Sequence, residues 1–406
     1  GDWGSFGAPS ARLFTLDPND PNFVIKELRI GLADRPTGFW LRGFGQGADG
    51  ELYVFGSTVL GPSGDTGQML KIVPSLPLTY LQHNLTSDVP GVADHNDSNL
   101  VNPWGVAVDP NGLFRIANNG AGLSAVYDGN GLPLSAGVEI PPAAGGSPPA
   151  APTGVVLNST EDFVVGPNLP AQLIFATEDG AIVGFNSATG AVLKADNSAS
   201  GAVYTGVALG SSDGSNYLYA VNFGLAGINV FDANFNPAAL AGAFSDPNLP
   251  AGFAPFNVSN IGNQLYVTYA LKDAATGEAV PGPGNGYVNV FNPNGQFVMS
   301  LASEGTLDAP WGLALAPGGF GGFGGALLVG NFGDGRINAF NPATGQRLGE
   351  LQDASAAAIS IEGLRGLAFG NSLQAGNVRT LYLTAGTAAG DGIEDRSLFG
   401  SIIPID

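Results

Sequence analysis

Short apolar segments alternate with turn residues along most of this chain, and one apolar segment recurs six times. Each copy begins with a small or turn residue and continues as a strand; the clearest copies are residues 102–108 (NPWGVAV) and 309–315 (APWGLAL). The copies share a slot that holds Gly105, Gly154, Gly206, Asn257, Gly312 and Gly366, at spacings of 49, 52, 51, 55 and 54 residues. A period near fifty residues, built from short strands, is typical of a β-propeller.

Other segments repeat with the same period. Each copy is followed by a second apolar strand and by a third strand in which apolar and small or polar residues alternate, which predicts one packed face and one variable face. The third strands end at residues that suit turns, Asp128, Asn186, Asn292 and Asn341, because Asp and Asn side chains bond to the local backbone. No segment has the period of an amphipathic helix. The sequence therefore predicts an all-β, six-bladed β-propeller.

The repeats divide the chain into two predicted domains, residues 1–77 and residues 78–406. The stretch 78–85 precedes the first repeat and is predicted to add an outer strand to the last blade, which would remove both exposed edges of the ring. The N-terminal domain is interpreted as an extra blade-like β segment, with a stiff joint at residues 74–77. Its predicted strands are residues 12–16, 23–30, 38–44, 51–55 and 68–73.

Composition limits the classes of partner. The formal net charge is −20 with only 14 Lys and Arg, which argues against nucleic acid and anionic lipid, because both require clustered cations. No apolar run reaches the length of a membrane span. Charged residues make up 12% of the chain and Cys is absent, which favours an extracellular or cell-surface protein of bacterial export. The start without Met fits a processed exported chain.

Most of the chain resembles an uncharacterised family of secreted bacterial β-propellers. The matching segments are residues 99–105 (NLVNPWG), 117–124 (ANNGAGLS), 127–131 (YDGNG), 310–314 (PWGLA) and 398–402 (LFGSI). The resemblance implies a propeller fold and an exported setting, and it brings no catalytic residues. Some members carry a PEP-CTERM sorting tail after the propeller, and this sequence shows no such tail.

Residues 43–54 (GFGQGADGELYV) with residues 70–74 (LKIVP) resemble the closing blade of quinone-dependent, sorbosone-type sugar dehydrogenases. The resemblance covers that blade alone, so no dehydrogenase function follows from it. A lone blade cannot bury both faces of its sheet. It would dock on the ring, pair with a second copy, or be the remnant of a longer precursor, and docking on the ring is favoured. Pairing between copies predicts a homo-oligomer or a filament through residues 1–77.

Loops that precede the inner strands and follow the second strands meet at one mouth of a propeller's channel. The ligand-binding candidates there are Asn102, Trp104, Asn118, Glu178, Asn222, Trp311 and Asn331. A small molecule or a glycan is the predicted kind of ligand. The competing interpretation is structural and is favoured for these residues: Asn is an ordinary turn residue, and a repeated Trp more often packs between blades than stacks a ligand.

Hard oxygen ligands at the same mouth also suit Ca²⁺. Asp94, His95 and Asp97 are the metal-ligating candidates, although a lone His in a polar loop is more often simply solvated. Three functions remain open at this point. The favoured one is a non-catalytic exported propeller for surface structure or binding, with self-assembly through its N-terminal segment; the others are a calcium-dependent lactonase or esterase and the remnant of a quinone-dependent sugar dehydrogenase.

Overall fold

The computed structural model describes residues 11–16, 25–27, 38–47, 52–60, 64–72, 79–303, 305–387 and 396–405. These residues form β-strands, turns and two short 3₁₀ turns, η1 (Ser198–Ser200) and η2 (Gly321–Phe323). The chain divides into two compact units, Gly1–Leu76 and Pro77–Asp406. The predicted joint at residues 74–77 lies outside the described residues.

The N-terminal unit contains two small antiparallel sheets. One pairs β1 (Phe14–Leu16) with β2 (Ile25–Glu27), and the other is a meander of β3 (Trp40–Gln46), β4 (Leu52–Ser57) and β5 (Gly67–Ile72). The five strands coincide with the five that the sequence predicts, although parts of the second, fourth and fifth predicted strands lie outside the described residues. The core of this unit is small and centres on Leu13, Phe39 and Val54.

The second unit is a ring of six sheets, which confirms the predicted six-bladed β-propeller. Its first two strands are β6 (Tyr80–Ser87) and β7 (His95–Asn96). Blades one to three then contain β8 (Pro103–Val108), β9 (Phe114–Asn118), β10 (Leu123–Tyr127) and β11 (Pro133–Glu139); β12 (Pro152–Leu157), a hairpin of β13 (Val164–Gly166) and β14 (Leu169–Pro170), β15 (Leu173–Thr177), β16 (Ala181–Asn186) and β17 (Gly190–Asp196); and β18 (Tyr204–Ser212), β19 (Ser215–Asn222) and β20 (Gly227–Phe231).

Blades four to six follow the same order from the channel outward. Their strands are β21 (Phe253–Ile261), β22 (Gln264–Leu271), β23 (Gly286–Phe291) and β24 (Phe297–Ser303); β25 (Pro310–Leu315), β26 (Leu327–Asn331), β27 (Ile337–Phe340) and β28 (Arg347–Glu350); and β29 (Leu364–Phe369), β30 (Leu381–Thr387) and β31 (Arg396–Pro404). The sixth blade is completed by β6, which pairs antiparallel with β31, and β7 then pairs parallel with β6. This pairing confirms the predicted closing strand and leaves the ring without a gap between its first and last blades.

One apolar cluster fills each of the six interfaces between neighbouring blades. The cluster that joins the last blade to the first contains Leu85 of β6, Phe114 of β9 and Phe399 of β31. The prediction of one packed and one variable face in the third strands was wrong, because successive residues of one strand enter the apolar clusters on either side of the blade. In β23, for example, Phe291 belongs to one cluster and Val290 to the next.

The shared glycine slot marks the closest approach of neighbouring inner strands. A Cβ on Gly105 would lie 2.6 Å from the Thr153 carbonyl oxygen, and a Cβ on Gly366 would lie 2.6 Å from that of Trp104. Asn257 occupies the slot in blade four, and its Nδ2 donates to the Trp311 carbonyl oxygen at 2.8 Å. In the five blades that have glycine at this slot, the repeat therefore marks a packing requirement, because the neighbouring inner strand leaves little room for a side chain.

Candidate ligand-binding mouth of the channel

Every inner strand has a β-bulge just before the glycine slot. The register of β8, β12, β18, β21, β25 and β29 against its neighbour shifts at this place in all six blades. A bulge bends the strand and redirects a side chain. The residues that immediately precede the slot, which we call the floor ring, are Trp104, Thr153, Thr205, Phe256, Trp311 and Arg365.

Aromatic side chains of the floor ring meet across the channel. The Trp104 and Trp311 rings lie 6.0 Å apart at 89°, and Trp104 lies 6.5 Å from Phe256 at 74°. These are edge-to-face contacts of the kind that aromatic rings prefer. The Trp311 Nε1 donates to the Thr205 carbonyl oxygen at 3.0 Å, which fixes the indole between two blades. The channel is therefore filled with side chains at this level.

Arg365 supplies a buried cation to the floor ring. Its guanidinium carbon lies 4.1 Å from the centre of the Trp104 ring and 3.6 Å from that of Phe332, and the residue is only 2% exposed. Stacking of this kind is favourable and stronger when the cation is desolvated. Arg365 was not among the residues predicted from the sequence to bind a ligand. The repeat alignment offered a signal, because residues 364–369 (LRGLAF) place an Arg where two other copies have Trp.

A cavity of about 700 Å³ lies above the floor ring at the mouth where the inner strands begin and the second strands end. Its aromatic lining is Trp104, Phe223, Phe256 and Phe332. The volume lies within the range of roughly 300–1,000 Å³ that is usual for small-molecule sites. A second chamber, of about 480 Å³, lies among the inner strands on the far side and includes Trp311 and Leu313 in its wall.

Polar side chains form hydrogen bonds at the rim of the mouth cavity. The Lys272 ammonium donates to the Phe223 carbonyl oxygen at 2.9 Å and to that of Gly224, and it lies 5.6 Å from the Phe223 ring centre. On the other side, Asn119 Nδ2 donates to Glu178 Oε2 at 2.7 Å. These bonds fix a cation and an anion at separate positions on the rim.

The structure separates the predicted mouth residues into three groups. Asn102, Trp104 and Glu178 line the mouth cavity, whereas Trp311 lines the chamber on the far side of the floor ring. Asn118, Asn222 and Asn331 end the second strands of blades one, three and five and are 0%, 2% and 0% exposed.

Two of these buried Asn residues, Asn222 and Asn331, form hydrogen bonds that brace the mouth loops. Asn222 Oδ1 accepts from the backbone nitrogens of Val203 and Leu225, both at 3.1 Å. Asn331 Nδ2 donates to the Thr306 carbonyl oxygen at 2.8 Å. These contacts give Asn222 and Asn331 a structural role, and ligand binding by either residue stays a prediction.

The metal candidates are placed differently from one another. Asp97 is 9% exposed, and its two oxygens accept from the Asn99 backbone nitrogen and the Tyr127 hydroxyl, both at 2.9 Å. Asp94 Oδ2 lies 3.0 Å from His83 Nε2, and both side chains are about half exposed. His95 pairs with Thr86 in the short parallel ladder of β7. Among the described residues, no group of three or more His, Cys, Asp or Glu is arranged to hold a metal ion, and calcium stays a prediction.

Buried tyrosines predict sensitivity to alkali. Burial raises the pKa of Tyr382 to about 12, and it raises the pKa values of Tyr80, Tyr127, Tyr219 and Tyr269 still further. A folded-state pKa above the unfolded value stabilises the fold below the unfolded pKa near 10, and this stability is lost as the pH rises. We expect the free energy of unfolding, measured in urea by circular dichroism, to fall between about pH 10 and 12.

The same titration has a matched control. Tyr382→Phe removes one raised pKa and should make the loss of stability above pH 10 less steep, although it also removes the hydrogen bond to the Gly129 carbonyl oxygen. Thr189→Val, which changes an exposed residue and removes no titratable group, should leave the slope unchanged. Equal slopes for all three proteins would contradict the assignment.

No protein-family model matches the sequence. Among solved structures, virginiamycin B lyase from Staphylococcus aureus covers 90% of this chain with 95% of its own, at a TM-score of 0.43 and 14% identity. No helix in the described part of the chain is both long enough and apolar enough to cross a membrane.

Closer relatives come from the comparison of sequences. The uncharacterized protein R648 of Acanthamoeba polyphaga mimivirus is 35% identical over 309 residues, which span 73% of this chain and 74% of that protein. The uncharacterized protein L690 of the same virus is 34% identical over 303 residues, which span 71% of this chain and 79% of that protein. These viral relatives do not test the resemblance to secreted bacterial propellers, which stays a prediction. This chain belongs to the family that contains R648 and L690.

Proposed function

We propose that this protein is a non-catalytic binding propeller that takes a small molecule or a glycan into the mouth cavity, in an extracellular or surface setting. The observation that carries the proposal is the cavity itself, which has an aromatic floor and charged side chains fixed around it. Apolar walls with a few oriented polar groups are the usual features of a ligand pocket. The low content of charged residues, 12%, supports the surface setting.

Binding at the mouth is tested with a thermal-shift screen of a small-molecule library on the wild-type protein and two variants. Lys272→Met removes the rim cation, and Lys194→Met is the matched control, because Lys194 also lies over a Phe ring, at 5.3 Å from that of Phe235, on the outer strand of blade two. We expect ligands whose stabilising shift is reduced at least by half in Lys272→Met and kept in Lys194→Met. The proposal would be contradicted if the screen found no ligand, or found only ligands whose thermal shift is the same in the wild type and in Lys272→Met.

The non-catalytic part of the proposal has its own measurement. Lactone and ester substrates are incubated with the protein in the presence of calcium and in the presence of a chelator. We expect no turnover above the buffer rate in either condition. Calcium-dependent turnover that disappears in an Asp94→Asn, Asp97→Asn double variant would favour the lactonase or esterase alternative instead.

Self-assembly is a second proposal, supported by apolar side chains that are exposed on the sheet formed by β3, β4 and β5. Phe44 is 56% exposed and Met69 is 63% exposed. A head-to-tail contact between copies that does not close would propagate into a filament. We expect sedimentation velocity to show species larger than the monomer at high concentration, and Phe44→Ser with Met69→Ser to abolish them.

The control for self-assembly is Leu225→Ser, which removes an equally exposed apolar side chain, at 56%, from the propeller. It should leave the distribution of species unchanged. A wild-type protein that remains monomeric at high concentration would end the self-assembly proposal and would leave the proposal of mouth binding intact.

A further inference from the structure

Three buried polar atoms belong to residues that line the mouth cavity and have no hydrogen-bond partner among the described residues. They are Trp104 Nε1, Thr205 Oγ1 and Asn102 Oδ1. Trp104 and Thr205 are only 5% and 2% exposed. Buried polar groups in folded proteins nearly always have a partner. A ligand that suits these three atoms would accept from the indole N–H, donate to the amide oxygen and either donate to or accept from the hydroxyl.

The aromatic side chains that line the mouth cavity form one continuous surface. Phe223 lies 5.1 Å from Phe256, Phe256 lies 6.4 Å from Phe332, and Trp104 lies 6.5 Å from Phe256, measured between ring centres. Arg365 covers part of this surface, between Trp104 and Phe332. A ligand with a flat apolar face, set beside groups that form hydrogen bonds, would match this combination.

The charges around the cavity balance. Its charged lining residues are Lys272 and Arg365, which are positive, and Glu178 and Glu278, which are negative. A lining without net charge does not favour a charged ligand, and the formal net charge of −20 repels anions further. An aliphatic ligand would cover these charged groups and pair with none of them, which is costly. A neutral ligand with many hydroxyl groups would pair with them.

From these observations we infer that the ligand of the mouth cavity is a neutral saccharide, whose ring stacks on the aromatic surface while its hydroxyls bond to Thr205, Asn102 and the charged rim. This inference rests on the proposed function and specifies the class of ligand. The Thr205 hydroxyl has a defined part in it, because it is buried in the floor and pairs with no described residue.

The test compares four kinds of probe by saturation-transfer NMR and by intrinsic tryptophan fluorescence. The probes are neutral pyranose oligosaccharides, their uronic-acid counterparts, a planar heteroaromatic compound such as adenosine, and decanoate. Thr205→Val removes the floor hydroxyl and should not impair folding, because that hydroxyl forms no bond to described residues. Thr189→Val, in an exposed turn between β16 and β17, is the matched control.

We expect a neutral oligosaccharide to bind the wild type and Thr189→Val equally, and to bind Thr205→Val about five- to tenfold more weakly, the loss expected for one hydrogen bond. If adenosine, decanoate or an anionic sugar binds at the mouth and neutral sugars do not, the saccharide inference fails while mouth binding stands. Saccharide binding that is unchanged in Thr205→Val would also overturn it. If no probe binds and the library screen finds no ligand, both proposals fail.

Discussion

Gly366→Ala should destabilise the propeller by about 3 kcal/mol, at the upper end of the cost of overpacking. The added methyl group would lie 2.6 Å from the Trp104 carbonyl oxygen, 2.7 Å from Thr384 Oγ1 and 2.8 Å from Val106 Cγ1. Two of these neighbours are further constrained, because the Thr384 hydroxyl donates to the Trp104 carbonyl oxygen and accepts from the Gly366 backbone nitrogen. The methyl group would force the sixth and first blades apart. Urea unfolding followed by circular dichroism measures the loss.

The control for this prediction is Gly227→Ala at the start of β20. Its added methyl group would lie no nearer than 3.9 Å to another residue, which is an ordinary contact distance. We expect its stability to be unchanged or raised by a few tenths of a kcal/mol, because alanine restricts the unfolded chain. If the two variants were equally stable, the slot would not be the point of closest approach.

Trp104→Ala should cost about 3–5 kcal/mol, the range found when a large buried aromatic side chain is truncated. Trp104 contacts Trp311, Phe256 and Arg365, which come from three other blades. Its loss would leave a void on the channel axis and remove one of the two rings on which the buried guanidinium stacks. Thermal and urea unfolding give the stability. In the same variant, any ligand found for the mouth cavity should bind at least tenfold more weakly.

Trp104→Phe distinguishes the loss of side-chain volume from the loss of the aromatic contact with Arg365. It keeps an aromatic ring above Arg365 and should recover more than half of the lost stability. Stability of Trp104→Ala within about 1 kcal/mol of the wild type would mean that the floor ring adds little to the fold, well below the usual cost of such a truncation.

The repeat made the architecture predictable because its glycine position marks where the backbones of neighbouring inner strands come close together. Gly105 and Gly366 could be aligned without a structure, since at both positions the next inner strand comes too close for a Cβ to fit without movement. The closing role of residues 78–85 was also predictable, from the edge that a six-repeat ring would otherwise expose. Both are consequences of geometry that is local to a repeat or common to every ring.

The composition of the mouth was less predictable. The sequence identified Asn118, Asn222 and Asn331 by residue type and position, and these side chains are buried at strand ends. Lys272 could not be found, because it reaches the mouth by bonding to the carbonyl oxygens of blade three, and no repeat column marks it. Arg365 occupies the repeat position that holds Trp104 and Trp311 in two other blades, but it is a different residue type. A search for the same residue at each repeat position therefore misses it.

The hydrogen-bonded pairing of β6 with β31 joins residues 80–87 to residues 396–404 of the chain. During synthesis, residues 396–404 must leave the ribosome before β6 can pair with β31. Five blades can form pairwise from nearby segments as they emerge, but the sixth must bring together ends separated by more than three hundred residues. The entropy of closing so large a loop makes this a slow final step. Nascent chains of this protein should therefore spend most of their maturation time as an open, nearly complete circle.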